Sequence, residues 1–491
     1  MWLPLIFLVA FLFYVFQTWK PKSYPPGPKW LPIIGNYRDF KRRLDKLGYH
    51  HLVWDELAKI YGPVVCLKMG RSLVVTVTGP EAVREVLTRD EFDGRPDGFF
   101  FRVRTFGKRL GIVFSDGQFW QKQRKFSLQH LKDFGFGKRE MELRIVEESK
   151  ELIDDLKKKS VGSLYMHKAF DVSVLNVLWT MMAGERFSLD DVRLIKLLQI
   201  IHDAFRLFDM SGGLLNQMPL LRFIAPGVCG YTKVMKILTE MWLFLEETIA
   251  EHRKTVGATH PRDLIDAFLQ KMKVCSSEDS FTDEQLLSLC LDLFMAGSET
   301  TSNTLGFAML YMLKYPNVQK KVQDEIDDVV GRNRWPTMQD KINMPYTEAV
   351  LMEIQRIANV PPLGIAHRAT CTTKLFEYSV PKGAIVLTSL YSIHMDNAFW
   401  KDPFEFRPER FLTDKGTVFS PDWYFLPFGH GKRRCLGESL AKTNYFIFFT
   451  AVLHNFILRI DTDVDELNMN GFDGITISPK PFKVILLPRT D

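Results

Sequence analysis

A helical periodicity that runs through most of the chain is the strongest constraint on its fold. From Glu81 to about residue 370, apolar residues recur at the spacing of an amphipathic helix. The longest such runs lie at 139–158, 232–253, 283–312, 316–330 and 346–357. Strand-like pieces are short and lie at 64–69, 73–78, 374–380, 384–387 and 482–487. These patterns predict a mainly α fold with a minor β-sheet portion, built as one large domain.

The composition excludes several classes of protein. The 491 residues are 46% hydrophobic and 25% charged, which is typical of a globular chain and not of a disordered or collagen-like one. The 39 Phe residues suit a large apolar core or pocket. The net charge of +6 is spread along the chain without a basic stripe or finger motif, so no nucleic acid is expected as a partner. The six cysteines are scattered and form no CxxC pair, as is usual in a reducing compartment.

The N-terminus has the character of a membrane anchor. Residues 1–19 carry no charged side chain and have the length of one bilayer-spanning helix. Lysines follow at once, so the positive-inside rule predicts that the rest of the chain stays on the cytoplasmic side. A cleaved signal peptide is the alternative, but no basic region precedes the run and no A-x-A-like site follows it. We predict an anchor at 1–19, a basic, proline-rich hinge at 20–30 and a single domain at 31–491.

A second apolar stretch at 214–228 either dips into the membrane interface or forms a buried loop.

One of the six cysteines stands in an unusual setting. Cys435 lies in the segment FGHGKRRCLG, residues 428–437, just ahead of an apolar helical run from Leu436 to about Leu453. A helix N-terminus and the three basic residues before the cysteine both lower a thiol pKa. The pattern therefore predicts a stabilised thiolate, which could be a nucleophile, a metal ligand or a redox sensor. A cysteine hydrolase would need a base beside the thiol, and His430 is the only candidate nearby in the sequence.

This segment resembles the haem-binding signature F-x-x-G-x-R-x-C-x-G of the cytochrome P450 family. Phe428, Gly431, Arg433, Cys435 and Gly437 occupy the fixed positions. The resemblance implies a single cytochrome P450 fold that holds haem b (iron protoporphyrin IX), with Cys435 as the proximal ligand that favours O–O cleavage. It also implies that Arg433 pairs with a haem propionate and that Phe428 packs beside the sulfur and excludes water.

Two further segments match elements of the same family. Glu353 and Arg356 have the spacing of the E-x-x-R element, which places both on one helix face, and Arg410 lies in a P-E-R-F element. The resemblance implies that these three residues form a buried ion network behind the haem. Their role is structural, because a buried triad of this kind serves specificity more than stability.

Small and polar residues interrupt the apolar helix predicted at 289–304. The segment AGSET, residues 296–300, resembles the A/G-G-x-E/D-T motif of the family, although a solvated helix end or a close helix crossing at Gly297 would also explain it. The resemblance implies that Thr300 and Glu299 are catalytic and relay protons during oxygen activation. Threonine hydroxyls can divert a helical carbonyl and open a groove for water. Ala296 would leave room for oxygen and substrate.

Four other residues fall where relatives place groups that contact the haem propionates. Trp120 and Arg124 form a W-x-x-x-R element and share one helix face. Arg95 and His367 are further propionate partners by resemblance, and the alternative for each is an ordinary surface cation.

The family positions also predict a substrate pocket. Its walls would be Phe100, Val103, Ile112, Phe205, Phe208, Asp292, Ala296, Leu363, Ile365, Phe472 and Ile475. Nearly all are aromatic or aliphatic, which favours a lipophilic small-molecule substrate. The segments at 92–99 and 104–111 are similar to the insect group that contains methyl farnesoate epoxidases of juvenile hormone biosynthesis. We expect insertion of one oxygen atom of O2 by hydroxylation or epoxidation. Xenobiotic, steroid or other terpenoid oxidation, a haem-thiolate isomerase or dehydratase, and a non-catalytic haem carrier stay as alternatives.

The chain carries no flavin or iron–sulfur segment, so its electrons must come from a partner. The resemblance is closest to microsomal animal enzymes, which implies NADPH-derived electrons from NADPH–cytochrome P450 reductase and a place in the endoplasmic reticulum membrane. Lys122, Lys125, Lys432 and Arg434 flank the haem motifs and could dock an acidic partner. A solvated basic face is the alternative.

Overall fold

The structure is a computed structural model that describes residues 11–12, 14, 16–160, 162–207, 210–257, 260–274, 280–461 and 467–489. Most of the predicted anchor, residues 1–10, 13 and 15, lies outside the described residues, as does Phe208. Within the described part of the chain, no helix combines the length and the apolar character needed to cross a bilayer.

Helices make up most of the described chain and are numbered in chain order. They are α1 Tyr37–Leu47, α2 His50–Tyr61, α3 Pro80–Thr88, α4 Phe99–Val103, α5 Gly117–Asp133, α6 Arg139–Lys159, α7 Asp171–Ala183, α8 Val192–Leu207, α9 Gly213–Gln217, α10 Leu221–Ile224, α11 Tyr231–Thr255, α12 Leu264–Val274, α13 Asp283–Lys314, α14 Pro316–Val329, α15 Pro345–Ala358, α16 Leu390–His394, α17 Asn397–Trp400 and α18 Glu438–Asn455. Short 3-10 turns lie at Asp90–Phe92, Asp340–Asn343, Pro408–Phe411 and Gly431–Arg433.

The strands are short. They are β1 Val64–Met69, β2 Ser72–Val77, β3 Ser163–Tyr165, β4 His367–Arg368, β5 Thr373–Leu375, β6 Tyr378–Val380, β7 Ile385–Thr388, β8 Phe456–Ile460, β9 Gly471–Phe472, β10 Ser478–Pro479 and β11 Lys483–Pro488. The prediction of a mainly α fold with a minor sheet is confirmed.

The largest sheet has the order β1-β2-β7-β4, in which only β2 and β7 run parallel. A second sheet has the order β3-β11-β8 and joins the C-terminus to the segment before α7. The predicted strand at 374–380 is wrong in one respect, because the chain reverses within it and forms the hairpin β5–β6. Phe376, with a φ of 52°, makes that reversal without a glycine.

Helix α13 runs through the interior and contacts α7, α11, α15 and α18. Most of its residues are buried on every side, as is typical of a helix in the centre of a large protein. The side chain of Thr282 accepts a hydrogen bond of 3.2 Å from the Gln285 N–H and caps the N-terminus. At the crossing with α7, a Cβ on Gly297 would lie 2.3 Å from Leu178 Cδ2, so the glycine makes room for that leucine.

Helix α18 begins directly after the cysteine segment and packs against α6 and α13. Its start at Glu438 is two residues later than the sequence pattern predicted, because Gly437 caps the helix. Together α13 and α18 bring the 296–300 segment and the cysteine segment into the same part of the molecule. A separate apolar cluster beneath the four-stranded sheet supports the other side of the cysteine segment, through Val83, Leu87 and Leu426.

Candidate active site

The cysteine segment is a closed loop with two glycines in a backbone conformation that favours this residue. The Cys435 N–H donates to the Phe428 carbonyl at 3.0 Å, which closes the loop on itself. Gly429 and Gly431 have φ angles of 68° and 72°, in the left-handed region that favours glycine. A Cβ on Gly431 would lie 2.2 Å from the Leu87 carbonyl oxygen, so α3 packs directly against the loop backbone.

Protein atoms surround the Cys435 thiol, but the residue is exposed on one side. It therefore faces a cleft and not a packed core. Burial raises the pKa of this thiol and outweighs the Gly437 N–H and Arg124, which lower it. The Gly437 N–H at the helix start and Arg434 lower the pKa as predicted, but burial outweighs them, so the protein groups alone do not produce the predicted thiolate. A metal ion at the sulfur would supply the missing positive charge, because a coordinating thiol is deprotonated.

Two arginines meet on one tryptophan beside the loop. The Arg433 guanidinium lies 3.7 Å from the centre of the Trp120 ring and donates to the Asp93 and Ser115 carbonyls at 2.9 and 3.1 Å. The Arg124 guanidinium lies 5.6 Å from the same ring. The structure thus joins residues that are separated by more than 300 positions. Burial lowers the pKa of Arg433 to about 10.

Arg95 extends this group of cations inward, and the neutral His367 lies beside it. Arg95 donates to the Ile365 and Ala366 carbonyls at 2.8 Å, while its Nε is buried without an acceptor among the described residues. Burial, together with Arg433, lowers the pKa of Arg95 well below its usual range. Burial, with Arg95 as a further cause, lowers the pKa of His367 to about 3, so this imidazole is neutral.

The cation group tests whether haem fits the site. Arg95, Arg124 and Arg433 stay charged, because guanidinium does not release its proton in proteins, and their mutual repulsion is unfavourable in a buried place. An anionic ligand would relieve it. The two propionate carboxylates of haem b supply such a charge on the same molecule that offers an iron atom to Cys435. The donor set therefore fits haem.

Glu353 holds an ion network behind the loop. Arg356 binds its two oxygens with bonds of 2.6 and 2.8 Å, and Arg410 donates to Oε1 at 3.0 Å. Glu353 and Arg356 are fully buried. Arg356 also donates to the His394 carbonyl, which ties α15 to α16. The network thus fixes three segments of chain relative to one another.

On α13, Ala296 is exposed in the middle of a helix that is otherwise buried, and Thr300 is half-buried. Both therefore border a cleft. The Thr300 hydroxyl donates to the Ala296 carbonyl at 3.0 Å, and Thr304 makes the same bond to the Thr300 carbonyl. The helix continues through this segment from Asp283 to Lys314 without a break.

Glu299 points into a network that the sequence did not suggest. Its side chain is fully buried, and Oε1 accepts from Arg206 of α8. Thr476 and Asn303 donate to the same oxygen at 3.1 Å. Oε2 is buried and has no hydrogen-bond donor among the described residues. His202 lies behind Oε1, with its Nδ1 at 3.7 Å.

The structure brings most of the predicted pocket residues into two neighbouring apolar clusters. Ile112 and Phe205 belong to the main core, and Phe100 and Val103 pack against it. Leu363 belongs to a third apolar cluster, distinct from the one that supports the cysteine segment, and Ile365 packs against it, while Ile475 contacts both this cluster and the main core. The Ile475 N–H donates to the Phe205 carbonyl at 2.9 Å. Phe472 stands apart from both clusters and is 46% exposed, with Lys480 over its ring.

Asp292 anchors the loop that follows α4. It is fully buried, forms an ion pair with Arg104, and accepts from the Ile112 and Val113 N–H groups at 2.6 and 2.8 Å. A Cβ on Gly111 would lie 2.2 Å from Asp292 Oδ2, so the loop approaches the carboxylate as closely as glycine allows. Arg104 therefore neutralises the charge of the buried Asp292 carboxylate.

Sequence reasoning missed several charged residues that complete the site. Asp116 binds Arg109 and Arg368 at 2.8 and 2.6 Å and so supports the backbone around Arg95. Arg206 and His202 reach Glu299 across more than ninety positions of sequence. No spacing pattern marks a pair so far apart. The one available indication was their position on α8, within four residues of the predicted wall residue Phe205.

The four basic residues predicted to dock a partner are all exposed. Lys432 pairs with Asp90 at 2.6 Å, and Arg434 pairs with Glu438 at 2.5 Å. Part of their charge is therefore already compensated within the chain. Lys122 and Lys125 lie on the outer face of α5.

An accessible thiol in a glycine loop, opposed by buried cations that need an anion, meets the requirements of a haem-thiolate centre. The comparison with known families agrees, since the sequence profile described as "Cytochrome P450" matches residues 25–486. The chain belongs to the cytochrome P450 family. It is a monooxygenase oxidoreductase, and its family uses haem and O2.

Curated relatives cover almost the whole chain. It is 42% identical over 98% of its length to "Farnesoate epoxidase" of Bombyx mori, 97% of which is covered. It is 38% identical to "Probable cytochrome P450 305a1" of Drosophila melanogaster, with 98% of each chain covered. It is 37% identical to "Cytochrome P450 2J5" of Mus musculus, with 98% of this chain and 95% of the relative covered.

Proposed function

We propose that this enzyme epoxidises a sesquiterpenoid of the farnesoate type, with methyl farnesoate as the substrate that we expect and juvenile hormone as the product. The observation that carries the proposal is the 42% identity to the farnesoate epoxidase of Bombyx mori along nearly the full length of both chains. The apolar side chains at the predicted walls favour a lipophilic chain of this size.

The ion pair in the wall supports the ester over the free acid. Arg104 follows the predicted wall residue Val103, and it is paired with Asp292, which also accepts from the N–H of the predicted wall residue Ile112. A free carboxylate placed here would meet no uncompensated positive charge on Arg104. We therefore expect the enzyme to turn over methyl farnesoate faster than farnesoic acid.

The residues of the site would share the work around the haem. Cys435 would hold the iron, and Arg433, Arg95 and Arg124 would bind the propionates, with Trp120 packed beneath the arginines. When bound, haem supplies the redox chemistry that inserts one oxygen atom of O2 into the substrate. Ala296 leaves space beside α13, and the Thr300 hydroxyl orients and passes a proton there. Glu299 supplies that proton, and Phe428 excludes water from the sulfur.

We further propose that NADPH–cytochrome P450 reductase supplies the electrons and docks on the exposed lysines of α5, Lys122 and Lys125. Residues 1–19 would anchor the enzyme in the endoplasmic reticulum membrane, with the catalytic domain on the cytoplasmic face. The exposed apolar residues Leu220, Phe223 and Ile224 of the 214–228 segment favour lipid contact there. Microsomes from cells that express the full chain and a variant without residues 1–19 test this, and equal membrane retention after an alkaline wash would contradict the anchor.

The first experiment addresses the haem and its ligand. We expect the reduced, membrane-expressed protein to give a thiolate-type Soret shift with carbon monoxide, and Cys435→Ala to lose it. Cys371→Ala is the matched control, because Cys371 is also an exposed cysteine but lies outside the cysteine segment. A Cys435→Ala protein that keeps the shift would exclude Cys435 as the ligand.

The second experiment addresses the substrate. Purified enzyme with reductase and NADPH is given methyl farnesoate, farnesoic acid and unrelated lipophiles, and the products are identified by mass spectrometry. An epoxide from methyl farnesoate supports the proposal. Products from other lipophiles alone would favour xenobiotic, steroid or other terpenoid oxidation. Product formation without O2 consumption or NADPH oxidation would favour an isomerase or dehydratase.

A further inference from the structure

A chain of titratable groups leads from Glu299 toward the protein surface. His202 of α8 places its Nδ1 3.7 Å from Glu299 Oε1 and its Nε2 2.7 Å from Asp171 Oδ2. The two ring nitrogens thus face two carboxylates that belong to α13 and α7. The His202 side chain is 12% exposed, whereas Glu299 is fully buried.

A surface cleft reaches the outer end of this chain. A cavity of about 330 Å³ lies between α6, α7, α8 and β3. Its lining includes Asp171 and His202, and its polar part is completed by Asp155, Lys159, Lys168 and Gln199. The cleft therefore brings solvent to the imidazole and its carboxylate partner, whereas the fully buried Glu299 does not line it.

The two oxygens of Glu299 have different surroundings. Oε1 is held by Arg206, Thr476 and Asn303, so the carboxylate cannot swing freely. Oε2 is buried and receives no hydrogen bond from the described residues. A buried carboxylate oxygen without a donor is costly unless it has a use, such as receiving or passing a proton. Arg206 and Thr476 bind Oε1, and in this way they act as positioning residues for the other oxygen, Oε2.

We propose that the α6–α7–α8 cleft is the proton inlet of this enzyme and that His202 carries protons from the cleft to Glu299. The inference rests on the proposed relay through Glu299 and Thr300. In each step the Nδ1–H bond of the His202 imidazolium breaks and an O–H bond forms on Glu299. A half turn of the ring then presents Nδ1 to the cleft, where solvent restores the proton. Only a proton moves, and no electron is exchanged.

The charges around His202 suit this role. Burial alone would lower the pKa of His202, but its hydrogen bond to Asp171 and the nearby Glu299 carboxylate raise it to about 9. Arg206 on the same helix and Lys168 before α7 are the positive groups near it, whereas burial lowers the pKa of the neighbouring His167 to about 4, so that imidazole is neutral. The imidazole is therefore loaded with a proton at neutral pH.

The test uses the full-length, haem-loaded enzyme with reductase and methyl farnesoate, or the lipophile that the product screen identifies. We expect His202→Gln to lower product formed per NADPH by about tenfold and to release hydrogen peroxide instead. His252→Gln is the matched control, because His252 is buried and pairs with Asp263 at 3.0 Å but has no contact with Glu299. Equal coupling in His202→Gln and the wild type would overturn the inference.

A second measurement does not depend on turnover. Hydrogen–deuterium exchange at the C2 carbon of each histidine, followed by mass spectrometry against pH, reports solvent access and protonation. We expect His202 to exchange with a midpoint near pH 9, as its raised pKa predicts, and faster than the fully buried His394. Exchange at His202 as slow as at His394 would show that the cleft does not deliver solvent, which also overturns the inference.

Two further variants separate this inference from the relay on which it rests. If Thr300→Ala and Glu299→Gln uncouple the enzyme while His202→Gln does not, the relay stands and the inlet lies elsewhere. If none of the three uncouples it, the relay itself is wrong. Should His202→Gln fail to bind haem, Asp171→Asn removes the other group at the cleft and is expected to lower the coupling in the same way.

Discussion

At the scale of single residues, two aspartates near the loop after α4 show how burial determines what an ion pair contributes to stability. Asp97 binds Arg102 at 2.6 Å, and both side chains are more than a third exposed to solvent. Asp292 binds Arg104 and two backbone N–H groups with no exposure at all. Water screens the first pair and competes for it, whereas the second has no other partners.

We therefore expect Asp292→Ala to lower the free energy of unfolding by about 3–5 kcal/mol, because it leaves a buried guanidinium and two N–H groups without an acceptor. Asp97→Ala should cost at most about 1 kcal/mol. Urea denaturation of the haem-loaded proteins, followed by far-UV circular dichroism, measures both. Equal losses would mean that Asp292 is not the anchor of the loop.

A second pair concerns glycine. Gly431 and Gly416 have φ angles of 72° and 74°, but only Gly431 has backbone within reach of an added Cβ. Gly416→Ala should cost about 1–2 kcal/mol of backbone strain and leave the carbon monoxide spectrum unchanged. Gly431→Ala adds a clash with the Leu87 carbonyl and should abolish the spectrum. Normal haem loading of Gly431→Ala would contradict the close packing of α3 on the cysteine loop.

At the scale of elements, helix α13 has two threonines with different roles: one stabilises the helix, and the other belongs to the proposed proton relay. Thr282 caps its N-terminus, and Thr300 lies at its centre beside the cleft. Thr282→Ala should lower the free energy of unfolding by about 1 kcal/mol and leave product per NADPH unchanged. Thr300→Ala should do the reverse, with little effect on stability and a marked loss of coupling. Thermal melts and NADPH-to-product ratios distinguish them, and unchanged coupling in Thr300→Ala would count against the relay.

The long helices could be predicted from the sequence because many turns of one period define them. The run predicted at 139–158 is the helix Arg139–Lys159, and the run at 316–330 is Pro316–Val329. Elements set by a single residue could not be predicted so well. The reversal at Phe376 uses a non-glycine residue in the left-handed region, and nothing in its local sequence indicates a turn there.

The residues of the site also divide into those that the sequence could identify and those that it could not. The cysteine loop and the Glu353 network are built from residues with a fixed local spacing, so the sequence could single them out. The partners of Glu299 and Asp292 could not be found in this way, because Arg206 and Arg104 meet them through tertiary packing alone. The pKa of Cys435 was missed for a related reason, since local charges are visible in the sequence and burial is not.

For the molecule as a whole, His202 links stability to pH. Its pKa lies at about 9 in the fold, above the ordinary value of 6.5. A raised pKa stabilises the fold fully below about pH 6.5, and this contribution is lost as the pH rises through 9. The shift corresponds to roughly 3 kcal/mol at most. We expect the wild type to lose more stability than His202→Gln between pH 6.5 and 9 in matched denaturation series. Parallel pH profiles would mean that His202 is not held as an imidazolium.

The cation group around Trp120 also has a consequence for the order in which the enzyme can be made. Arg433 docks onto the carbonyls of Asp93 and Ser115, which precede it by more than 300 residues. Cys435 and these contacts come into being only when nearly all of the chain has left the ribosome. The arginines therefore come together, and the haem site is completed, only late in synthesis or after it.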